Sequence, residues 1–293
     1  MKVYENLDIK LHNTSVCIGK FDGLHKGHRL LINNVTENKD LEPVMFTFKH
    51  ECNGDSEKFI YTEKEKIKLA EKLGIKHYIS LPFSLIKNVS ATDFIKDILC
   101  EKLDAKNVAV GEDFRFGKER MGDVNLLEKL SKEYGYKLNV FSKLKYKNII
   151  ISSTYIRELI TDSKIEEAYE LLGDKYHFMG EVIEGKKLGR TIGFPTVNVE
   201  VCECKLIPKL GAYESRVLIE GDERFYKGIT NLGKKPTVGN FNVNLETYII
   251  DFDRNIYGKK IQVFLEKFIR PEMKFSGVEE LKKQLDLDIK TVM

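Results

Sequence analysis

The stretch Val16–Cys17–Ile18–Gly19–Lys20–Phe21–Asp22–Gly23–Leu24–His25–Lys26–Gly27–His28 runs from a short apolar strand into a glycine-rich turn, and Leu30 and Leu31 open a helical pattern behind it. At such a strand-to-helix turn a parallel sheet presents free backbone amides and a helix N-terminus to phosphate. Gly27 has no Cβ, so a ligand can approach the backbone closely. His25 and His28 are three apart, so on a helix that begins here both imidazoles point to one side. There they can hydrogen-bond nucleotide phosphates and stabilise charge that develops during transfer. An isolated H-x-x-H is commonly a pair of surface histidines. A zinc site needs a third or fourth ligand, and no nearby spacing supplies one. Placement after a strand and behind G-x-F-D-G favours the phosphate reading.

Outward from this turn, short apolar runs alternate with helical patterns. Candidate strands are Ser15–Ile18, Pro43–Phe48, Tyr78–Leu81, Asn107–Val110, Lys137–Phe141 and Ile149–Ile151. Thr62 and Glu65 make a capping box ahead of Ile67, Ala70 and Leu73, with Gly74 as the stop, because each side chain satisfies a free amide of the helix start. Asp123 caps a second helix that carries Leu126, Leu127 and Leu130 and ends near Gly135, and Ser163 with Glu166 forms another box before Gly173. Strands alternating with helices predict βαβ units and a mostly parallel sheet.

After Tyr176 the pattern changes. Runs at Phe178–Ile183, Thr196–Val201, Tyr213–Ile219, Phe225–Ile229, Val243–Ile250 and Ile261–Phe268 are rich in β-branched and aromatic residues and are separated by glycine-bearing turns. Closely spaced strands of this kind predict an antiparallel barrel or sandwich. A last helix follows a Ser276–Glu279 capping box. The boundary falls near 173–177, so the expected domains are residues 1–175 and 176–293.

Composition narrows the function classes. The chain has 293 residues, 48 basic against 45 acidic side chains and a formal net charge of +3. Nucleic-acid binders normally show a strong basic balance or stripe, so no nucleic-acid partner is expected. The apolar runs fall far short of the roughly 18 residues of a membrane span, and the opening residues lack an apolar signal core. Five cysteines at irregular spacing imply no disulfide framework. A cytoplasmic location follows from these features.

The β-rich half carries a second concentrated stretch, Gly185–Lys186–Lys187–Leu188–Gly189–Arg190–Thr191–Ile192–Gly193–Phe194–Pro195–Thr196–Val197–Asn198. Its glycines and cations can wrap a polyphosphate, although the spacing is not that of a Walker loop and a solvated hairpin turn would read similarly. Thr196 and Asn198 share a face if they lie on a strand.

Taken together, the motifs resemble two known families joined in one chain. G-K-F-D-G-L-H-K-G-H resembles the HxGH motif of the nucleotidyltransferase superfamily in the form found in prokaryotic FAD synthetases. Val110–Gly117 resembles that family's V-G-x-D-F-x-F-G, with Asp113 at its centre, and Ile151–Arg157 resembles its I-S-S-T-x-I-R. The family's proline-containing F-x-P-H-P is replaced here by Phe46–Cys52, which keeps only His50. G-R-x-x-G-F-P-T-x-N resembles the riboflavin kinase signature. Leu210–Tyr213, Gly228–Gly233, Lys235–Thr237, Glu246, Asp251–Phe252 and Leu265–Phe275 follow that family's later segments in order.

The resemblance implies a Rossmann-like nucleotidyltransferase domain followed by an antiparallel β-barrel riboflavin kinase domain with a terminal helix. The implied reactions are phosphorylation of riboflavin to FMN and adenylylation of FMN to FAD, with ATP as co-substrate and Mg²⁺ as cofactor. For the adenylyltransferase it implies a nucleotide site made of Gly19, Phe21, Asp22, Gly23, His25, His28, Asp113, Ser152, Ser153, Thr154 and Arg157. For the kinase it implies Gly185, Lys186, Gly189, Arg190, Gly193, Pro195, Thr196 and Asn198 around ATP, with Thr196 and Asn198 holding Mg²⁺. Glu246 would be the base, and Asn231, Asp251, Arg270 and Phe275 would meet the flavin. The partners implied are ATP, riboflavin, FMN and FAD, acting on a monomer or a weak homo-oligomer. A chain with one active module and a non-catalytic flavin-binding regulator remain the alternatives.

Overall fold

Five strands of the first half and one short N-terminal strand form a single parallel sheet in the computed structural model, which describes residues 1–49, 58–185, 189, 193–235 and 242–292. In chain order the elements are β1 (Lys2–Tyr4), β2 (Thr14–Ile18), α1 (Lys26–Glu37), β3 (Glu42–Phe48), α2 (Glu63–Lys72), β4 (His77–Leu81), α3, β5 (Ala105–Gly111), α4 (Val124–Tyr134) and β6 (Lys137–Phe141). The α3 helix begins as one α-turn at Ala91–Asp93 and continues as a π-helix over Phe94–Lys102. The strand order is β1-β4-β3-β2-β5-β6, every pairing parallel. Apolar strand residues such as Val16, Ile18, Val44, Phe46, Ile79, Val108 and Val110 are almost fully buried.

This order positions the site. From β2 the chain moves to β3 and β4 on one side and later returns to β5 and β6 on the other, so the strand order reverses between β2 and β5. Ligands of open α/β sheets bind outside the carboxyl ends of strands at such a switch point. The Gly19–His28 turn leaves the carboxyl end of β2, and Asp113 follows that of β5.

Two local expectations change. The Ile149–Ile151 run joins no sheet with β2–β6. Ile149–Ile150 (β8) instead pairs with Lys145–Tyr146 (β7) in a separate hairpin. The sixth strand of the main sheet is β1, too short to carry a pattern of its own. The Ser163–Glu166 box does not form, because Ser163 has φ +64 and its Oγ accepts from the Lys209 amide (2.9 Å) and meets the Tyr213 hydroxyl (2.8 Å). The tertiary partners take the hydroxyl that a cap would need.

The second half begins with two helices, α5 (Ser153–Thr161) and α6 (Ile165–Leu172), followed by β9 (His177–Ile183), β10 (Thr196–Glu200), β11 (Gly211–Ile219), β12 (Phe225–Lys235), β13 (Asn242–Ile249), β14 (Lys260–Pro271) and α7 (Val278–Lys290). The six strands close into an antiparallel barrel in the order β10-β13-β12-β11-β14-β9, which resolves the barrel-or-sandwich choice. Ser276 pairs with Glu280 rather than Glu279, through both its amide and its hydroxyl. Internal contacts divide the chain into two compact units, Met1–Ser153 and Thr154–Met293. Cys17, Cys100 and Cys202 are free thiols.

Candidate active sites

The first site is built on a strained turn held by burial. Phe21 (φ +52) and Leu24 (φ +44) adopt left-handed backbone although neither is glycine, and both are fully buried. Such conformations persist only where the surroundings over-determine them, and they cluster at ligand sites. Asp22 is 6% exposed, and its carboxylate accepts from the Ile60 amide (3.0 Å). Ser153 donates its hydroxyl to the Asp22 carbonyl (2.9 Å), so the I-S-S-T and G-K-F-D-G segments meet although they are far apart in sequence.

His25 caps α1. Its Nδ1 accepts from the His28 amide (3.3 Å), and the two imidazoles stack with centroids 3.6 Å apart and planes 14° apart. The missing Cβ of Gly27 matters here, since a methyl at that position would lie 3.2 Å from the His25 ring. Phe21 packs edge-on against His28 at 5.3 Å. Because Nδ1 of His25 accepts, a neutral ring carries its proton on Nε2. Burial lowers the His25 pKa to about 4, and burial, then the neighbouring His25 and Lys66, holds His28 well below its ordinary value. Both rings are therefore neutral donors at neutral pH. The first turn of α1 has no acidic residue, so nothing there opposes an anion at the positive helix end. The Nδ1 of His28 is buried without a partner among the described residues.

A buried cation underlies this turn. Lys66, in α2, donates to the Lys20 carbonyl (3.4 Å) and Thr47 Oγ1 (3.2 Å), while Thr47 donates to the same carbonyl (3.0 Å). The motif loop is thus tied to the end of β3. Burial lowers the Lys66 pKa to about 8 against the opposing pull of Glu63 and Asp22. Sequence reading placed the inner face of α2 at Ile67, Ala70 and Leu73 and missed Lys66. A charge on the Lys66–Leu69–Ala70 stripe, which the structure buries, was the available signal.

In the barrel, strand register aligns the second site. Asn198 of β10 lies opposite Glu246 of β13, and Glu246 lies opposite Asn231 of β12. The row continues through Ala212 of β11 to Arg270 of β14. Directly opposed residues share a face, so four separately predicted residues line one band of the barrel. Along β13, Leu245, Thr247 and Ile249 are buried while Glu246 and Tyr248 are intermediate, which is the alternation of a strand with one face packed. Thr196 lies two residues before Asn198 and opposite Tyr248. A Cβ on Gly185 would stand 2.3 Å from the Asn198 amide nitrogen, and a Cβ on Gly189 would stand 3.6 Å from Thr196 Oγ1. The backbone therefore closes directly over both side chains.

Asp113 is exposed and paired with Lys143 (2.9 Å). Ser152 precedes α5, while Thr154 and Arg157 continue that helix within the second compact unit. Gly193 (φ +88) forms a turn and Pro195 leads into β10. Asp251 occupies an exposed turn at φ +53 just beyond the end of β13. Arg270 is held by Asp288 of α7 through bonds of 2.7–3.1 Å and lies 5.8 Å from the Phe275 ring. Asp288, 1% exposed, escaped sequence reading. Lys186, Arg190, His50 and Thr237 lie outside the described residues.

The donors at Thr196 and Asn198 are neutral oxygens, which suit Mg²⁺, an ion usually bound by few protein ligands with phosphates and water completing its sphere. No group of three or more His, Cys, Asp or Glu side chains that could hold a metal occurs among the described residues. The residues present therefore fit a metal shared with a nucleotide.

A switch-point turn with two neutral imidazoles and a barrel bearing a carboxylate between two amides are arrangements suited to a transferase that handles phosphate at two places. A model of the family described as FAD synthetase matches residues 8–155, and one described as riboflavin kinase matches residues 172–293. The bifunctional riboflavin kinase/FMN adenylyltransferase of Buchnera aphidicola (subsp. Schizaphis graminum) is 37% identical over 293 residues, 96% of this chain and 93% of the relative. That of Escherichia coli strain K12 is 35% identical, covering 92% of this chain and 89% of its own. A crystal structure described as a macrolide-efflux protein from Streptococcus pneumoniae superposes with a TM-score of 0.84 at 27% identity, covering 99% of this chain and 98% of that one. The chain belongs to the bifunctional riboflavin kinase/FAD synthetase family.

Proposed function

We propose that the two reactions of the family, phosphorylation of riboflavin to FMN and adenylylation of FMN to FAD, run at the two clusters described above. In the barrel, Glu246 accepts the proton of the terminal ribityl hydroxyl as that oxygen attacks the γ-phosphorus of ATP, and ADP leaves. Thr196 and Asn198 would hold Mg²⁺, which would supply positive charge to neutralise the phosphates during transfer. Gly185, Lys186, Gly189, Arg190, Gly193 and Pro195 form the nucleotide loop, while Asn231, Asp251, Arg270 and Phe275 meet the flavin. The observation that carries this reading is the alignment of Asn198, Glu246 and Asn231 across three strands.

At the sheet, an FMN phosphate oxygen attacks the α-phosphorus of a second ATP and pyrophosphate leaves. The Nε2–H of His25, the His28 ring and the free amides of α1 donate to the polyphosphate as charge builds on it. Ser152, Ser153, Thr154 and Arg157 supply further donors, with Arg157 suited to a bidentate phosphate contact. Neither step requires a covalent intermediate on the enzyme. The functional modules are residues 1–175 and 176–293, and the chain works in the cytoplasm as a monomer or weak homo-oligomer on small molecules, without nucleic acid or membrane. Among the described residues no helix is long and apolar enough to cross a membrane.

Incubation with riboflavin, ATP and Mg²⁺, followed by chromatography, should yield FMN first and then FAD with pyrophosphate. Formation of neither flavin nucleotide by the folded protein would overturn the reading.

A further inference from the structure

Two residues before Glu246, and so on the same face of β13, lies Asn244, a residue that no motif singled out. Its side chain is 6% exposed. The Nδ2 group gives one hydrogen to Glu246 Oε1 (2.7 Å) and the other to Asn198 Oδ1 (3.0 Å). A side-chain amide has two hydrogens to give, so both go to acceptors of the kinase row. Its own Oδ1 is buried and has no hydrogen-bond partner among the described residues. Leaving a buried oxygen unmet is unfavourable, and an asparagine kept only for packing would be expected to have it satisfied. The alternative amide orientation is worse, since it would set an oxygen against the Glu246 carboxylate.

The surroundings fix this geometry from the other side. The Asn198 amide fills the space that a Cβ on Gly185 would take, 2.3 Å from its nitrogen, so the Gly185 backbone lies close behind it. Asn198 and Glu246 are direct cross-strand neighbours, and Asn244 reaches both diagonally and along its own strand. One amide thus sets the distance and orientation between the two groups.

We infer that Asn244 is a positioning residue for riboflavin phosphorylation, its amide fixing the Glu246 carboxylate and the Asn198 carbonyl in the orientation the reaction uses. The inference rests on Glu246 being the base. A carboxylate held by a charge-assisted hydrogen bond has fewer accessible rotamers, and misorientation of a reacting group lowers turnover more than it lowers ground-state binding.

The test compares Asn244→Ala, Asn244→Ser and Glu246→Gln in the full chain, reading kcat and KM for riboflavin, FMN adenylylation, and the thermal midpoint. Asn244→Ala should lower kcat on the order of ten- to hundredfold, with KM for riboflavin changed less than about twofold. Asn244→Ser, which keeps one donor, should fall between Ala and the parent, and thermal midpoint and FMN adenylylation should hold in both. A wild-type kcat in Asn244→Ala beside an inactive Glu246→Gln would overturn this inference while leaving the base assignment standing. Parallel loss of kcat, KM and thermal midpoint would overturn it in favour of a packing role. Full phosphorylation by Glu246→Gln would remove the base assignment and this inference with it.

Discussion

His25 and His28 show how burial selects a chemical form. An imidazole with a pKa near 6.5 is partly charged in the neutral range, yet burial takes His25 to about 4. The sign follows directly. The folded value lies below the unfolded one, so the contribution of neutral His25 is complete above pH 6.5 and is lost as pH falls through about 4. A neutral donor can hydrogen-bond a triphosphate without forming the tight ion pair that would hinder pyrophosphate release. NMR of the ring protons should show His25 in its neutral form on lowering the pH through 6.5, titrating only near 4. Titration of its ring near 6.5 in the folded protein would contradict the burial argument. The G-x-F-D-G-L-H-x-G-H stretch was legible because its chemistry is local: strand, turn, cap and both rings lie within a dozen or so consecutive residues. Lys66 and Asn244 were harder to read, because Lys66 acts on the Lys20 carbonyl and Thr47, and Asn244 on Asn198 of β10, partners brought in from distant sequence.

Elements were legible to the extent that their signals were local. The capping box of α2 forms as read, with Thr62 Oγ1 accepting from Glu65 and Glu65 accepting from Thr62, and Gly135 ends α4 in left-handed conformation. The boxes at Ser163 and Ser276 fail because other partners capture the hydroxyls, Tyr213 and Lys209 in one case and Glu280 in the other. The short β1 gains its place only by pairing with β4, and a three-residue strand offers no period to read. At the β9–β10 junction, Gly185→Ala would force a methyl to within 2.3 Å of the Asn198 amide nitrogen. Relief needs a shift of about 1 Å in a site where such a displacement can lower the rate roughly a hundredfold. The expected outcome is a loss of riboflavin phosphorylation of that order with FMN adenylylation retained, measured by separate assays of the two steps. Normal phosphorylation would show that Asn198 does not need its present position.

At the scale of the whole molecule, two unlike architectures solve two forms of one problem, the handling of charge on phosphorus. The parallel sheet offers the switch point between β2 and β5, where amides and neutral imidazoles converge. The closed barrel instead uses register to line up residues from separate strands. That difference explains why the first site was readable as a continuous motif, whereas the row Asn198–Glu246–Asn231 could be named only by resemblance. A near-balanced charge suits both, since neither site needs a basic surface to find a small nucleotide. The central claim is that one chain carries two separate catalytic sites. It is tested most directly by chromatographing the products of His28→Ala and Glu246→Gln, each supplied with ATP and Mg²⁺ and with either riboflavin or FMN. His28→Ala should accumulate FMN from riboflavin and make no FAD. Glu246→Gln should leave riboflavin unchanged yet convert supplied FMN to FAD. Loss of both reactions from either single substitution in a folded protein would contradict the account.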